Sequence, residues 1–134
     1  MKSIPRISDA VWEIMRIIWR KYPITNSEVI EELRTLGCAW HPNTTRTLLA
    51  RLVQKKALAS QSQGRAYAYT PQVCEADCIA QASKSFLTRV FGGSMEPMLA
   101  HFVTGENIGK AEVAGLRKLL DEIEEEGTLP LKDQ

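Results

Sequence analysis

The sequence predicts a mostly α-helical protein, in which a winged helix-turn-helix of three helices and a small β-hairpin precedes a C-terminal helical dimerisation arm. Three observations lead to this fold class. Apolar residues recur at helical spacing in three segments of the first half, polar and apolar residues alternate within residues 59–70, and helical spacing returns after Pro71. We therefore predict two domains, residues 1–71 and residues 72–134.

The first two predicted helices have clear boundary signals. The first begins after Ser8 or Asp9, either of which can cap it, and ends at the next tyrosine-proline pair. The second opens on a capping box, in which Thr25 and Glu28 satisfy each other's backbone amides. It stops at Gly37, because glycine readily adopts the left-handed conformation that ends a helix.

The third predicted helix begins at Pro42, which suits a first turn because no amide hydrogen is needed there. Its two sides differ in chemistry. One side is apolar and carries Leu48, Leu49, Leu52 and Val53. The opposite side is polar and basic, and it carries the candidate DNA-binding residues Asn43, Thr44, Arg46, Thr47 and Arg51.

These residue types match the chemistry of base recognition. An asparagine such as Asn43 can form paired hydrogen bonds with adenine, and a threonine methyl group can meet a thymine methyl group. Arg46 and Arg51 can reach guanine or a phosphate. The predicted hairpin turns at Gln63-Gly64, and its second strand begins with Arg65, which we expect to contact phosphate. A winged helix-turn-helix places its third helix in the major groove.

The second half predicts three more helices, at about residues 75–91, from Ser94 to Gly105, and at about residues 108–126. Residues 127–134 are predicted to be a frayed tail. Each helix has an apolar side whose exposure to water would be unfavourable, so we expect a homodimer. The candidate dimer residues are Phe86, Leu99, Phe102, Leu116, Leu119, Leu120 and Ile123.

The charge distribution separates the two halves. Residues 1–71 contain 11 lysines and arginines against 5 acidic residues, a balance of +6. Residues 72–134 contain 6 against 11, a balance of −5. A basic half is typical of phosphate contact, whereas an acidic half would be repelled by DNA and is better suited to meeting protein.

Composition and motifs exclude several classes of protein. Hydrophobic residues make up 44% and charged residues 25% of the chain, as in ordinary folded proteins. No apolar stretch approaches the roughly 18 residues of a membrane span, and no secretory signal is visible, so we expect a cytoplasmic protein. The metalloprotease, serine-hydrolase and P-loop motifs are missing, and we expect neither an enzyme nor a cofactor.

The chain also resembles the BlaI/MecI family of penicillinase and methicillin-resistance repressors, which includes copper-responsive repressors. The resemblance covers residues 4–120 and implies a dimer that binds a pseudo-palindromic operator and represses transcription. It is carried by these segments: Ile4-Pro5-Arg6-Ile7-Ser8-Asp9-Ala10, Ile18-Trp19, Glu28-Val29-Ile30 with Leu33, Trp40 with Pro42, Arg51-Leu52-Val53, Lys55-Lys56-Ala57-Leu58, Gly64-Arg65, Tyr69-Thr70-Pro71 and Ser85-Phe86-Leu87.

For the antibiotic-responsive members, the resemblance implies induction by proteolysis within the dimerisation arm. The signal comes from a membrane-bound sensor with a metalloprotease domain that detects a β-lactam. The matching bond in this chain is His101-Phe102. The family usually has asparagine before that bond, so His101 is a departure.

Two alternatives to a β-lactam-responsive repressor stay open at the level of sequence. Copper-responsive relatives carry a CxC pair near the C-terminus, which this chain lacks, but Cys74 and Cys78 lie four residues apart and would share a helix face. With a further ligand from Cys38, a histidine or the partner chain they could hold a metal, although we predict no metal site. The other alternative is a winged helix used only for protein assembly.

Overall fold

The computed structural model describes residue 7, residues 9–105 and residues 108–126. Three helices and a hairpin are followed by three more helices, which confirms the predicted fold class. Within the described residues, none of the helices is both long enough and apolar enough to cross a membrane. The elements are a 3-10 turn at Asp9–Val11, α1 (Trp12–Arg20), β1 (Ile24–Thr25), α2 (Asn26–Thr35), α3 (Pro42–Gln54), β2 (Leu58–Gln63), β3 (Ala66–Pro71), α4 (Glu75–Phe91), α5 (Met95–Gly105) and α6 (Lys110–Glu126).

The chain forms two compact units, of which the first ends at Phe86 and the second begins at Leu87. The first unit includes the start of α4, because Val73 and Cys78 are buried in its core. The indole Nε1 of Trp19 in α1 also donates a hydrogen bond to the carbonyl of Val73, at 3.0 Å. The predicted functional boundary, with DNA binding by residues 1–71 and dimerisation by residues 72–134, is distinct from this structural boundary and stays a prediction.

The core of the first unit lies among α1, α2, α3 and the sheet. Ile14, Met15 and Ile18 of α1 are fully buried, as are Ile24 and Leu49. Burying a side chain of this size contributes about 1.5–3 kcal/mol. Because this core holds the apolar side of α3, the opposite side of that helix faces outward.

The sheet has three strands rather than the two that we predicted. It is antiparallel in the order β1-β3-β2, with Ile24 opposite Tyr69 and Thr25 opposite Ala68. Sequence periodicity missed β1, since two residues are too few to show alternation. The short strand ties the start of α2 to the hairpin.

The hairpin turn lies one residue later than predicted. Gln63 pairs with Ala66, so Gly64 and Arg65 form the two-residue turn. Gly64 has φ +66°, a backbone conformation that glycine adopts without the steric cost of a side chain. Arg65 therefore lies at the tip of the wing instead of at the start of a strand, and it is exposed.

The capping box of α2 is confirmed. The Glu28 backbone amide donates to Thr25 Oγ1 at 3.2 Å, and the Thr25 amide donates to Glu28 Oε1 at 2.9 Å. The hydrogen bond from the Thr25 backbone, followed by that from its hydroxyl, lowers the pKa of Glu28. Because this pKa is lowered, the box stabilises the fold fully at pH values above the ordinary pKa of a glutamate. This stabilisation is lost as the pH falls through the lowered pKa.

Two other predicted helix starts differ from the structure. Helix α1 follows a 3-10 turn and has Val11 at its N-cap, with no side-chain cap bond, while Ser8 lies outside the described residues. Helix α6 begins at Lys110, two residues later than expected. The predicted tail, residues 127–134, also lies outside the described residues.

Helices α2 and α3 end in the same hydrogen-bonded motif with different residues. In α2, the left-handed position is Gly37, with φ +87°, and the amide of Cys38 donates to the carbonyl of Leu33. In α3, the left-handed position is Lys56, with φ +68°, and the amide of Ala57 donates to the carbonyl of Leu52. A side chain in this conformation is sterically disfavoured, so the two helix ends are not equally stable.

This difference predicts opposite effects of two substitutions. Gly37→Ala should lower the free energy of unfolding by about 1 kcal/mol, because it places a side chain in the left-handed region. Lys56→Gly should raise it by about 0.5–1 kcal/mol, since relief of the strain exceeds the added entropy of the unfolded chain. Denaturant unfolding followed by circular dichroism, at one protein concentration, measures both. Destabilisation by both substitutions would contradict this account of the helix ends.

Candidate nucleic-acid interface

The two sides of α3 are separated as the sequence predicts. Thr45, Leu49 and Leu52 are buried against the core. All five candidate side chains on the opposite side are exposed, and we call them the recognition face: Asn43, Thr44, Arg46, Thr47 and Arg51. At 100° per residue, Arg46 and Arg51 lie on opposite edges of this face, with Asn43 and Thr47 between them. Their contact with DNA stays a prediction.

Thr45 belongs to the core, which the sequence did not reveal. It stands among polar residues, yet it is only 1% exposed. Helical spacing is the signal that could have found it, because Thr45 precedes the buried Leu49 by four residues and Leu52 by seven. Its burial fixes the rotation of α3 about its axis, and thereby the direction of the recognition face.

The surface formed by α3 and its C-terminal end is positively charged. From Pro42 to Lys56 the chain contains four basic residues and no acidic one. Basic side chains on α1 and α2 form ion pairs, such as Arg16 with Glu13 and Arg34 with Glu31. In the described part of the chain, no basic residue of α3 has such a partner. This charge remains available to an anionic ligand.

Two members of the recognition face are joined directly. The guanidinium Nη1 of Arg46 donates a hydrogen bond to the amide oxygen Oδ1 of Asn43, at 3.0 Å. The sequence identified both residues but not this bond. Since an amide oxygen has two lone pairs, Asn43 keeps a free acceptor site as well as its NH₂ donors. The two side chains therefore present donors and an acceptor as one group.

The N-terminus of α3 is capped by a residue that sequence analysis did not select. The imidazole Nδ1 of His41 accepts a hydrogen bond from the backbone amide of Asn43, at 3.0 Å. Serine, threonine, asparagine and aspartate are the usual residues at this position, so a histidine there gave no signal. Its place immediately before Pro42, a favoured first residue of a helix, is the clue that could have found it.

The candidate dimer residues carry substantial exposed apolar surface. Phe86 is 37% exposed, and Leu99 and Ile123 are partly buried. Four of the candidates lie on α6, where no described side chain is buried. Within α6 they are spaced by three or four residues and share one side of the helix. The remaining exposed candidates are Phe102 at 43%, Leu116 at 37%, Leu119 at 42% and Leu120 at 55%.

Comparison with known proteins identifies the family. The sequence model described as penicillinase repressor matches residues 7–122. This chain belongs to the penicillinase repressor family. The resemblance carried by the sequence motifs is thus confirmed.

Members of the penicillinase repressor family align with nearly the whole chain. The penicillinase repressor of Bacillus licheniformis is 39% identical over 122 residues, which are 91% of this chain and 94% of that protein. The methicillin resistance regulatory protein MecI of Staphylococcus aureus is 33% identical over 115 residues, 86% of this chain and 93% of that protein.

A solved structure of a DNA binding domain matches more than half of the chain. The solution structure of the DNA binding domain of the repressor BlaI is 45% identical, with a TM-score of 0.51. It covers 57% of this chain and 93% of its own. The similarity supports the winged-helix assignment of the first unit.

The bond that the sequence resemblance predicts to be cleaved, His101-Phe102, lies within a helix. His101 and Phe102 are both exposed residues in the middle of α5. The imidazole ring of His101 lies 6.3 Å from the ring of Phe91 and 6.2 Å from that of Phe102, between ring centroids. A protease that binds its substrate as an extended strand could cut this bond only after α5 had locally unwound.

The two cysteines at the start of α4 have different environments. Cys74 is exposed, whereas Cys78 is 2% exposed. Burial, with smaller contributions from Cys74 and nearby carboxylates, raises the pKa of the Cys78 thiol to about 11. Burial of its sulfur, together with this raised pKa, disfavours Cys78 as a metal ligand in this arrangement. Among the described residues, no three histidine, cysteine, aspartate or glutamate side chains are arranged to hold a metal.

These environments predict selective alkylation. Iodoacetamide at pH 8 should modify Cys74 within minutes and leave Cys78 unmodified until the protein unfolds, because only a thiolate in contact with solvent reacts. Both cysteines lie in the tryptic peptide of residues 66–84, so fragmentation of that peptide by mass spectrometry measures the modification at each position, and the same reaction in denaturant provides the fully reactive control. Equal native rates at the two positions would contradict the buried position of Cys78 and reopen the metal-site alternative.

Proposed function

We propose that this protein is a transcriptional repressor of a β-lactamase or antibiotic-resistance operon. In this proposal residues 1–71 bind a pseudo-palindromic operator, residues 72–134 form a homodimer, and the protein acts in the cytoplasm without enzymatic activity. The relatives named as a repressor and as a regulatory protein support the regulatory role. The observation that carries the DNA-binding role is the exposed, basic and acid-free recognition helix α3, in a unit similar to the BlaI DNA binding domain.

The proposed contacts follow from the position of each side chain. An α-helix fits the major groove of B-DNA, where Asn43 can pair with adenine and Arg46 or Arg51 with guanine. Arg65, at the tip of the wing, is suited to a phosphate of the same half-site. In a dimer, two recognition helices would be separated by one turn of DNA, roughly 34 Å, and the two-fold symmetry of the dimer would match that of the operator.

We infer that the homodimer forms through the apolar side chains of the arm. Leu116, Leu119 and Leu120 are exposed on one side of α6. This supports the inference, since a contiguous apolar surface is unfavourable in water unless a partner covers it. We also propose induction by cleavage at His101-Phe102, through a membrane-bound sensor pathway. A cut at this bond would separate α6 from the DNA-binding unit and weaken the dimer by mass action.

The proposed recognition face predicts a loss of DNA binding in two arginine variants. Arg46→Ala and Arg51→Ala should each lower affinity for DNA from upstream of the chain's own gene by about 1–3 kcal/mol, with the fold intact. A base contact should also relax the preference at one base pair, whereas a phosphate contact should reduce the dependence of affinity on salt. Fluorescence anisotropy titrations at several salt concentrations separate the two.

Arg16→Ala is the matched control for lost positive charge. Arg16 is exposed on α1 and pairs with Glu13 at 3.4 Å, away from the recognition face. This variant should bind the upstream DNA within about twofold of the natural chain. If the natural chain and both α3 variants bind equally well, a surface other than the recognition face recognises DNA. A chain that binds no duplex at all would favour a winged helix used for protein assembly.

A further inference from the structure

The amides in the first turn of the recognition helix donate their hydrogen bonds to one residue, His41. Pro42 has no amide hydrogen, and the next amide, that of Asn43, donates to the imidazole Nδ1 of His41 at 3.0 Å. The amides of Thr44 and Thr45 both donate to the backbone carbonyl of His41, at 2.9 and 3.4 Å. The carbonyl bonds would form with any residue at position 41, but the first amides of a helix otherwise lack partners, so the bond of the Asn43 amide depends on the His41 imidazole.

The imidazole cap leads directly to the recognition face. It fixes the backbone of Asn43, and the side-chain oxygen of Asn43 accepts the hydrogen bond from Arg46 at 3.0 Å. His41 thus begins a chain of contacts that ends at two side chains suited to reading bases. Loss of the cap would let the first turn fray and release both from their joint position.

We propose, on the basis of the DNA-binding function proposed above, that His41 is a positioning residue for sequence recognition. It acts through Asn43 and Arg46 rather than through DNA. Specific binding requires both side chains in one arrangement, and a frayed turn must be ordered again when the operator binds. Binding to unrelated DNA depends on positive charge and needs no such arrangement. Removal of the cap should therefore reduce sequence preference more than overall DNA affinity.

The tautomer of the imidazole gives a direct spectroscopic test. Nδ1 accepts a hydrogen bond only when it carries no proton, so the neutral ring must carry its hydrogen on Nε2. In ¹⁵N NMR spectra of the full chain at pH 8, the His41 Nδ1 signal should have the shift of an unprotonated ring nitrogen. A proton on Nδ1 would overturn the proposal without reference to any DNA.

The functional test compares two duplexes of equal length and base composition. One is enriched from a random library by the natural chain, and the other is its scrambled version. His41→Ala should lower affinity for the enriched duplex about three- to tenfold, the effect typical of a lost N-cap, and leave the scrambled duplex within about twofold. His41→Asn, which replaces the cap with another uncharged acceptor, should recover most of the preference.

Thr25→Ala is the matched control, because it removes the N-cap of α2 and leaves the recognition helix capped. Its thermal stability should fall as in His41→Ala, while its preference for the enriched duplex is retained. Equal losses on both duplexes, or loss of preference in Thr25→Ala as well, would reduce His41 to a stabilising role. Failure of His41→Asn to recover the preference would assign the imidazole a direct DNA contact instead. If the natural chain enriches no duplex, the proposed function itself fails, and the NMR result still stands.

Discussion

A chain that ends after Gly93 is expected to be a folded monomer that has lost most of its affinity for a full operator. The fragment keeps the whole first unit and all of α4, and it lacks α5 and α6. When two half-site contacts belong to one dimer, the second forms at a high effective concentration, so linkage raises affinity about 10²- to 10⁴-fold. Truncation removes this gain. The contacts of a single half-site should persist at weak affinity.

Sedimentation and anisotropy together test this expectation. The fragment should sediment as a monomer, bind a half-operator as well as the natural chain does, and bind the full operator at least 100-fold more weakly, as loss of linkage predicts. A fragment that still sediments as a dimer would place the interface within residues 1–93.

A charged double substitution in the full-length chain tests whether the effect of truncation comes from loss of the dimer interface or from removal of residues 94–134 as such. Leu116→Glu combined with Leu120→Glu puts two carboxylates on the apolar side of α6 and should reproduce the monomer. Leu36→Glu is the control, since Leu36 is about as exposed as Leu120, at 56% against 55%, but belongs to the first unit. It should remain a dimer.

The first unit could be predicted from sequence in most respects because its signals are local. The Thr25 and Glu28 capping box, the Gly37 terminator and Pro42 each follow from the chemistry of one or two neighbouring residues. The features of the first unit that sequence analysis missed depend on pairing between distant segments. Strand β1 exists only because residues 24 and 25 pair with β3, and the wing turn was displaced by one residue because strand register, not composition, fixes it.

The recognition face was predictable as a surface but not as a set of contacts. Periodicity identified the exposed side of α3, because a helix that buries one side must expose the other. It could not reveal the bond between Arg46 and Asn43, which depends on side-chain rotamers, or the cap by His41, which departs from the usual cap residues. Burial of Cys78 was likewise invisible, since two cysteines four residues apart look alike in sequence.

Induction by proteolysis predicts a defined product. If the β-lactam pathway reaches this protein, exposure of producing cells should yield a fragment that begins at Phe102, together with derepression. The cut leaves residues 1–101 without α6, so each half-site contact again acts alone, and no change at the recognition helix is required. Mass spectrometry of the immunoprecipitated chain identifies the new terminus, and copper exposure serves as the parallel treatment. Derepression by copper with an intact chain would instead implicate Cys74 and Cys78.

The residue before the bond makes the prediction quantitative. His101→Asn restores the residue that the resemblance associates with cleavage, and it should increase the rate of cutting severalfold if that residue is recognised. Ala100→Asn is the control: the neighbouring exposed residue of the same helix receives the same side chain, and because alanine is the better helix former this variant loosens α5 more than His101→Asn does. Faster cleavage in both variants would mean that easier unwinding of α5, rather than recognition of asparagine, limits the reaction. No cleavage in either, with repression maintained under β-lactam, would exclude proteolytic induction and leave the repressor function intact.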